Sequence, residues 1–282
     1  MIKPIGVFDS GLGGISVLAQ MITTLPEERY LYFGDSKNAP YGEKTREEVL
    51  YYSKSVAQKL LDQNAKAMVV ACNTATSAAI SDLRSLYNIP IIGMEPAVKP
   101  AVNMENIHRV VVMATPFTLR EEKFHELVRN IDTNKEILKL PCPGLVQLIE
   151  QEGGVGAKVL EYLRKLLGKA SIGKGDVIVL GCTHYVFLTD TIKQMLNNQV
   201  PLVHGNIGTV LQLKNQLKKH QLILGKKNAS INQNFDKKNK LLISKSHLKT
   251  RVQILNSHQD PGFNPTGWNL LMYELNKIFK EK

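Results

Sequence analysis

Two short stretches of this chain repeat one device: an apolar run, a small residue, a cysteine, then polar side chains. The first reads Val69-Val70-Ala71-Cys72-Asn73-Thr74 and the second Val179-Leu180-Gly181-Cys182-Thr183-His184. A continuous apolar run bounded by small polar residues fits a strand buried on both faces, as in a parallel sheet. Each cysteine then stands at a strand's carboxyl edge, which in open α/β sheets is where ligands bind. A helix opening just behind Cys72 adds the positive end of its dipole, which favours thiolate. One such cysteine alone reads most simply as a small buried hydrophobe. Two in equivalent places are much harder to attribute to packing. Cys142, flanked by Pro141 and Pro143 and without polar followers, lacks the device and reads as structural.

The surrounding order is that of two matched halves. Ile5 to Phe8, Tyr30 to Phe33, Ala67 to Ala71 and Ile89 to Met94 read as strands. Helices over Ile15 to Thr23, Arg46 to Leu61 and Ser77 to Tyr87 separate them, the second opened by a Thr45/Glu48 capping box. Two prolines in Glu95-Pro96-Ala97-Val98-Lys99-Pro100 mark a boundary, and the pattern restarts. Strands at Val110 to Ala114, Ile137 to Leu140 and Asp176 to Leu180 alternate with helices at Leu119 to Val128, from Leu145, and at Val159 to Leu167. The helix from Leu145 carries Glu150 and Glu152. The expected fold is α/β, with two pseudo-symmetric domains, mostly parallel central sheets and a site in the cleft between them. Residues 1–97 completed by 208–282 form the first domain, and 98–207 the second.

Composition narrows the function classes. The 282 residues, 43% hydrophobic and 22% charged, suit a globular protein. The amino terminus reads as an apolar strand, not a signal peptide, and no apolar run is long enough to span a bilayer. Three widely spaced cysteines suggest reduced thiols in the cytoplasm. No clustered His/Cys spacing supports a metal. The net charge of +11 is concentrated between Lys214 and Arg251, where eleven Lys/Arg face the single acid Asp236. A solvated helix and a polar Asn-rich insertion account for that better than nucleic-acid binding. Gly11, Gly13 and Gly14 crowd too closely for a dinucleotide fingerprint, so a nicotinamide is not expected.

Opposed thiols suit one chemistry in particular. A racemase takes the α-proton from one face and returns a proton to the other, so an acid/base pair across the substrate is the simplest arrangement. Asn73, Thr74, Thr183 and His184 are the polar neighbours that can help each thiol ionise. Asp9 and Ser10, at the end of the first strand, either bind an amino group and steer a proton or merely cap the next helix. The Pro40-Tyr41-Gly42 loop either presents backbone N–H groups and a phenol to a ligand or simply connects.

Taken together, Gly6-Val7-Phe8-Asp9-Ser10-Gly11-Leu12-Gly13-Gly14, Gly34-Asp35, Pro40-Tyr41-Gly42, Ala71-Cys72-Asn73-Thr74 and Leu180-Gly181-Cys182-Thr183-His184-Tyr185 closely resemble the glutamate racemase family. The resemblance runs in order from residue 1 to about residue 210. It implies interconversion of L- and D-glutamate without cofactor, in a cytoplasmic homodimer that supplies D-glutamate for peptidoglycan. By that resemblance Cys182 deprotonates L-glutamate and Cys72 D-glutamate, with Asp9 assisting Cys72 and His184 assisting Cys182. Ser10, Tyr41, Gly42, Asn73, Thr74 and Thr183 would hold the substrate with Asp9 and His184, and Thr115 occupies the repeat-equivalent turn. Aspartate is the rival substrate, because pocket shape is not readable from sequence. His204 replaces an Asp that the family usually carries at the next strand end, and reads as packed or solvated. Beyond Gly208 the similarity fades into a tail with Trp268 and Tyr273, expected to return to the first domain as helices.

Overall fold

The computed structural model describes residues 2–224, 248–257 and 263–280. The centre of the basic insertion therefore lies outside the described residues. Strands β1 (Ile5–Asp9), β2 (Tyr30–Gly34), β3 (Ala67–Val70) and β4 (Ile91–Gly93) precede β5 (Arg109–Ala114), β6 (Glu136–Pro141), β7 (Asp176–Leu180), β8 (Leu202–His204) and a late strand, β9 (Val252–Asn256). They form one sheet in the order β4-β3-β1-β2-β9 and another in the order β6-β5-β7-β8. Every pairing is parallel. β1 lies between β2 and β3 exactly as β5 lies between β6 and β7, and β4 flanks β3 as β8 flanks β7. The two halves are thus one strand order used twice, with β9 added to the first.

Covering helices explain why the inner strands β1, β3, β5 and β7 are largely apolar. Helices α1 (Ile15–Thr24), α2 (Arg46–Asp62) and α3 (Asn73–Leu86) belong to the first half. After them come α4 (Val98–Val102), α5 (Pro116–Arg120), α6 (Glu122–Arg129), α7 (Leu145–Gln151), α8 (Ala157–Lys169), α9 (Thr189–Met195), α10 (Asn206–Lys219) and α11 (Phe263–Lys280). Val7 and Val69 face one apolar cluster with α1, α10 and α11, while Phe8 and Val70 face another with α2 and α3. In the second sheet Val111 and Ile178 face α7 and α8, and Val112 and Val179 face α4 and α6. Burial on both faces removes the need for polar alternation.

Some boundaries differ from the sequence reading. α3 starts at Asn73, not Ser77, because Cys72 itself caps the helix, its sulfur accepting from Ala75 N–H. The segment read as one helix from Leu119 to Val128 is two, broken where Glu121 takes an extended backbone (ψ 141°). The Thr45/Glu48 capping box forms as read. The tail contributes a strand as well as a helix: β9 pairs with β2, Tyr30 opposite Val252. Trp268 packs against the first core, whereas Tyr273 is exposed. Among the described residues no helix is long and apolar enough to cross a membrane.

A buried ion pair pins α10's exit to the amino-terminal edge of the first sheet. Lys66 Nζ lies 2.6 Å from Glu28 Oε2, with side chains 7% and 1% exposed. Lys66 also donates to Leu222 O at 2.7 Å, and Glu28 accepts from Leu224 N at 2.9 Å. Removing one partner strands the other charge in a dry site. Glu28→Ala is expected to cost about 3–5 kcal/mol, read as a lower urea midpoint; a loss below about 1 kcal/mol would contradict this reading.

Candidate active site

Sheet order brings the carboxyl ends of β1, β3, β5 and β7 together. In the first half β2 and β3 leave β1 on opposite sides, a topological switch that opens a crevice between Asp9 and Cys72. The second half repeats this between Thr115 and Cys182. Both sulfurs are buried, and Cys72, Cys142 and Cys182 are all free thiols.

Cys72 Sγ accepts from Ala75 N–H at 3.4 Å and donates to Ser10 Oγ at 3.6 Å. Burial pushes the thiol up to about 12, and the nearby Asp9 charge pushes the same way, outweighing those hydrogen bonds. Burial thus acts against the thiolate-favouring helix end behind Cys72 and outweighs it.

Cys182 is served differently. Its Sγ lies 4.0 Å from His184 Nδ1, and His184 Nε2 lies 2.8 Å from Glu150 Oε1. Burial pulls His184 toward the neutral ring, but bonds and charges from Cys182 and Glu150 overcome it and hold it well above the usual histidine range. Burial likewise pushes Glu150 up, and the His184 bond and charge outweigh it, leaving the carboxylate below its ordinary value. Both directions describe one imidazolium–carboxylate pair. An imidazolium beside the sulfur stabilises negative charge arriving there.

Asp9 joins the halves. Its Oδ1 accepts from Gly11 N–H at 2.9 Å, and its Oδ2 accepts from the Thr183 hydroxyl at 3.1 Å. It caps the glycine loop and not α1, whose N-cap position is Gly14 with no side-chain bond. Burial raises its carboxyl above the usual range despite the His184 charge. The crowded glycines have a steric purpose: a Cβ on Gly13 would fall 2.6 Å from His184 Nδ1 and collide with Thr183 Oγ1. Only a backbone without side chains admits the second half this closely.

The remaining candidates line the same gap. Asn73 is buried, and among the described residues neither its Nδ2 nor its Oδ1 has a partner. A buried, unpaired amide is costly unless a ligand satisfies it. Thr74 Oγ1 meets Thr115 Oγ1 at 3.1 Å and Thr118 Oγ1 at 3.3 Å, so hydroxyls of both halves converge. A Cβ on Gly42 would lie 3.0 Å from Thr115 Cβ. The Tyr41 phenol is committed elsewhere: it donates to Asp35 Oδ2 at 2.6 Å, and burial and Asp35 hold it far above the usual tyrosine range. What Tyr41 offers a ligand is therefore its backbone.

Sequence reasoning passed over Glu150, Asp35 and Thr118. Glu150 was visible only as a helix acid, and its aim at His184 needs the fold. Cys142 is buried, its thiol donating to Leu140 O at 3.3 Å, in the same apolar cluster as Cys182. His204 ends β8, opposite Leu180 of β7.

Residues 5–213 match the family model described as Asp/Glu/Hydantoin racemase. The chain belongs to the Asp/Glu/hydantoin racemase family. It is therefore similar to isomerases acting on amino acids and related compounds. A glutamate racemase from Clostridium acetobutylicum is 50% identical over 222 residues, covering 78% of this chain and 86% of the relative. Among solved structures, glutamate racemase from Francisella tularensis in complex with D-glutamate superposes with a TM-score of 0.75 at 26% identity, over 96% of this chain and 94% of that one. Glutamate racemase isoform RacE1 from Bacillus anthracis gives 0.70 at 30% identity, over 78% and 84%.

In a racemase of this family the Glu150–His184 pair has a measurable signature. Its stabilisation is lost as pH rises through the raised His184 value and as pH falls through the lowered Glu150 value. Glu150→Gln removes the charge that holds the imidazolium, so the His184 midpoint, followed by nitrogen-15 NMR, is expected to fall by about one pH unit or more. An unmoved midpoint would show that Glu150 does not control His184.

Proposed function

We propose that this chain is a glutamate racemase whose two buried thiols, Cys72 and Cys182, exchange the α-proton from opposite faces of the substrate without a cofactor. The observation that carries the reading is their equivalence: one follows β3, the other follows β7, and each sits at the carboxyl edge of its sheet. In the L-to-D direction Cys182, as thiolate, removes the α-proton, and Cys72 delivers its own proton to the other face. In the D-to-L direction the roles exchange. The raised pKa of the Cys72 thiol suits it to act as the acid in the L-to-D direction.

Supporting groups follow from the same geometry. His184, backed by Glu150, stabilises charge on Cys182. Asp9 acts on Cys72 through its charge and not through a direct bond, because its oxygens are held by Gly11 and Thr183. Asn73, Thr74, Thr115, Thr183, Ser10 and the Tyr41–Gly42 backbone receive the substrate's carboxylates and ammonium. The carbanion relies on these buried donors. The units that close on it are residues 1–97 with 208–282, against 98–207. In support, Val210, Leu213 and Leu217 share an apolar cluster with β1 and α1. The reading extends to a cytoplasmic homodimer that supplies D-glutamate for peptidoglycan.

Substituting each thiol tests the assignment. Cys72→Ser and Cys182→Ser are each expected to slow racemisation of both glutamate enantiomers about a hundredfold or more, followed by circular dichroism. Near-normal turnover by either variant would sink the two-base reading. Aspartate measured in parallel should turn over far more slowly than glutamate; equal rates would overturn the substrate assignment.

A further inference from the structure

The turn that follows β2 makes consecutive contacts with three separate elements of the second half. Gly42 lies against Thr115, the N-cap of α5. Gln147 Nε2, on α7, donates to the Glu43 carboxylate. Arg46 Nη1, the first residue of α2, donates to Glu121 Oε2 at 2.6 Å. Each partner element also carries a site residue or leads to one. α7 bears Glu150 one turn beyond Gln147, and Glu121 closes the short helix that Thr115 opens.

Arg46 sits against local preference, because a cation at the first residue of a helix meets the positive end of the dipole. Glu121, between α5 and α6, makes no capping bond to α6 and reaches across to Arg46 instead. A local rule broken in favour of a contact between the halves points to a function for that contact.

We propose that Gly42 to Arg46 is a polar latch across the cleft, and that Glu43, Arg46, Glu121 and Gln147 are positioning residues that hold the two halves closed on the substrate. The inference rests on the reading of the cleft as the racemisation site. The latch is weak by construction: Arg46 is 51% and Glu121 16% exposed, and such pairs shift an equilibrium by about fivefold at most. A latch of that strength can release at every turnover, whereas a stronger one would hold product in place.

Charge exchange tests it, with KM and kcat measured for both glutamate enantiomers at fixed ionic strength. Arg46→Glu and Glu121→Arg are each expected to raise KM about two- to fivefold, with kcat within about twofold. The double exchange, Arg46→Glu with Glu121→Arg, is expected to return KM to within about twofold of wild type. Gln147→Ala is expected to raise KM in the same direction. A role in folding alone would not be rescued by exchanging the charges. An unchanged KM in the single reversals, or a double exchange no better than its worse parent, would overturn the latch. Absent racemisation by the unaltered enzyme would instead defeat the cleft reading on which the latch rests.

Discussion

The Thr183 hydroxyl donates to the Asp9 carboxylate across the space between two sheets, and the rest of the site depends on that approach. It brings the end of β7 onto the loop that follows β1. The loop admits it only because Gly11 and Gly13 have no side chains to meet Glu150, Thr183 and His184. Once there, Asp9 is sealed from water and its charge reaches Cys72, while His184 is fixed between Cys182 and Glu150. Loosening this one contact would open Asp9 to water and weaken the coupling of its charge to Cys72.

Symmetry of fold and asymmetry of charge are both needed. The repeated strand order supplies a thiol from each side. The surroundings of the two thiols differ: burial and the Asp9 charge raise Cys72 against its hydrogen bonds to Ala75 and Ser10, whereas Cys182 lies beside His184, which Glu150 holds as an imidazolium. The Asn73 amide, buried and without a hydrogen-bond partner among the described residues, is a neutral group that carries no such bias.

The strands ending at Cys72 and Cys182 are legible in the sequence because buried parallel strands read as unbroken apolar runs. The capping box at Thr45 is legible because it is purely local. β9 is harder: Val252-Gln253-Ile254-Leu255-Asn256 is an edge strand whose place beside β2 is set by a contact more than two hundred residues away in sequence. Glu150 and Asp35 are opaque for a similar reason. An acid on a helix or after a strand is ordinary until the fold shows a buried histidine or phenol at its tip. The protonation of Cys72 is not legible in the sequence either, because sequence shows the helix behind a thiol but not the burial that acts against it.

The central claim is that two bases work on opposite faces, and the fate of the α-proton decides it. L-glutamate turned over in deuterium oxide, with the reaction stopped early and both enantiomers separated, is expected to give D-glutamate carrying deuterium at Cα. The unreacted L-glutamate should retain hydrogen. D-glutamate that still carries the original hydrogen would mean one base returned the proton it had taken. The two-thiol account would then be wrong.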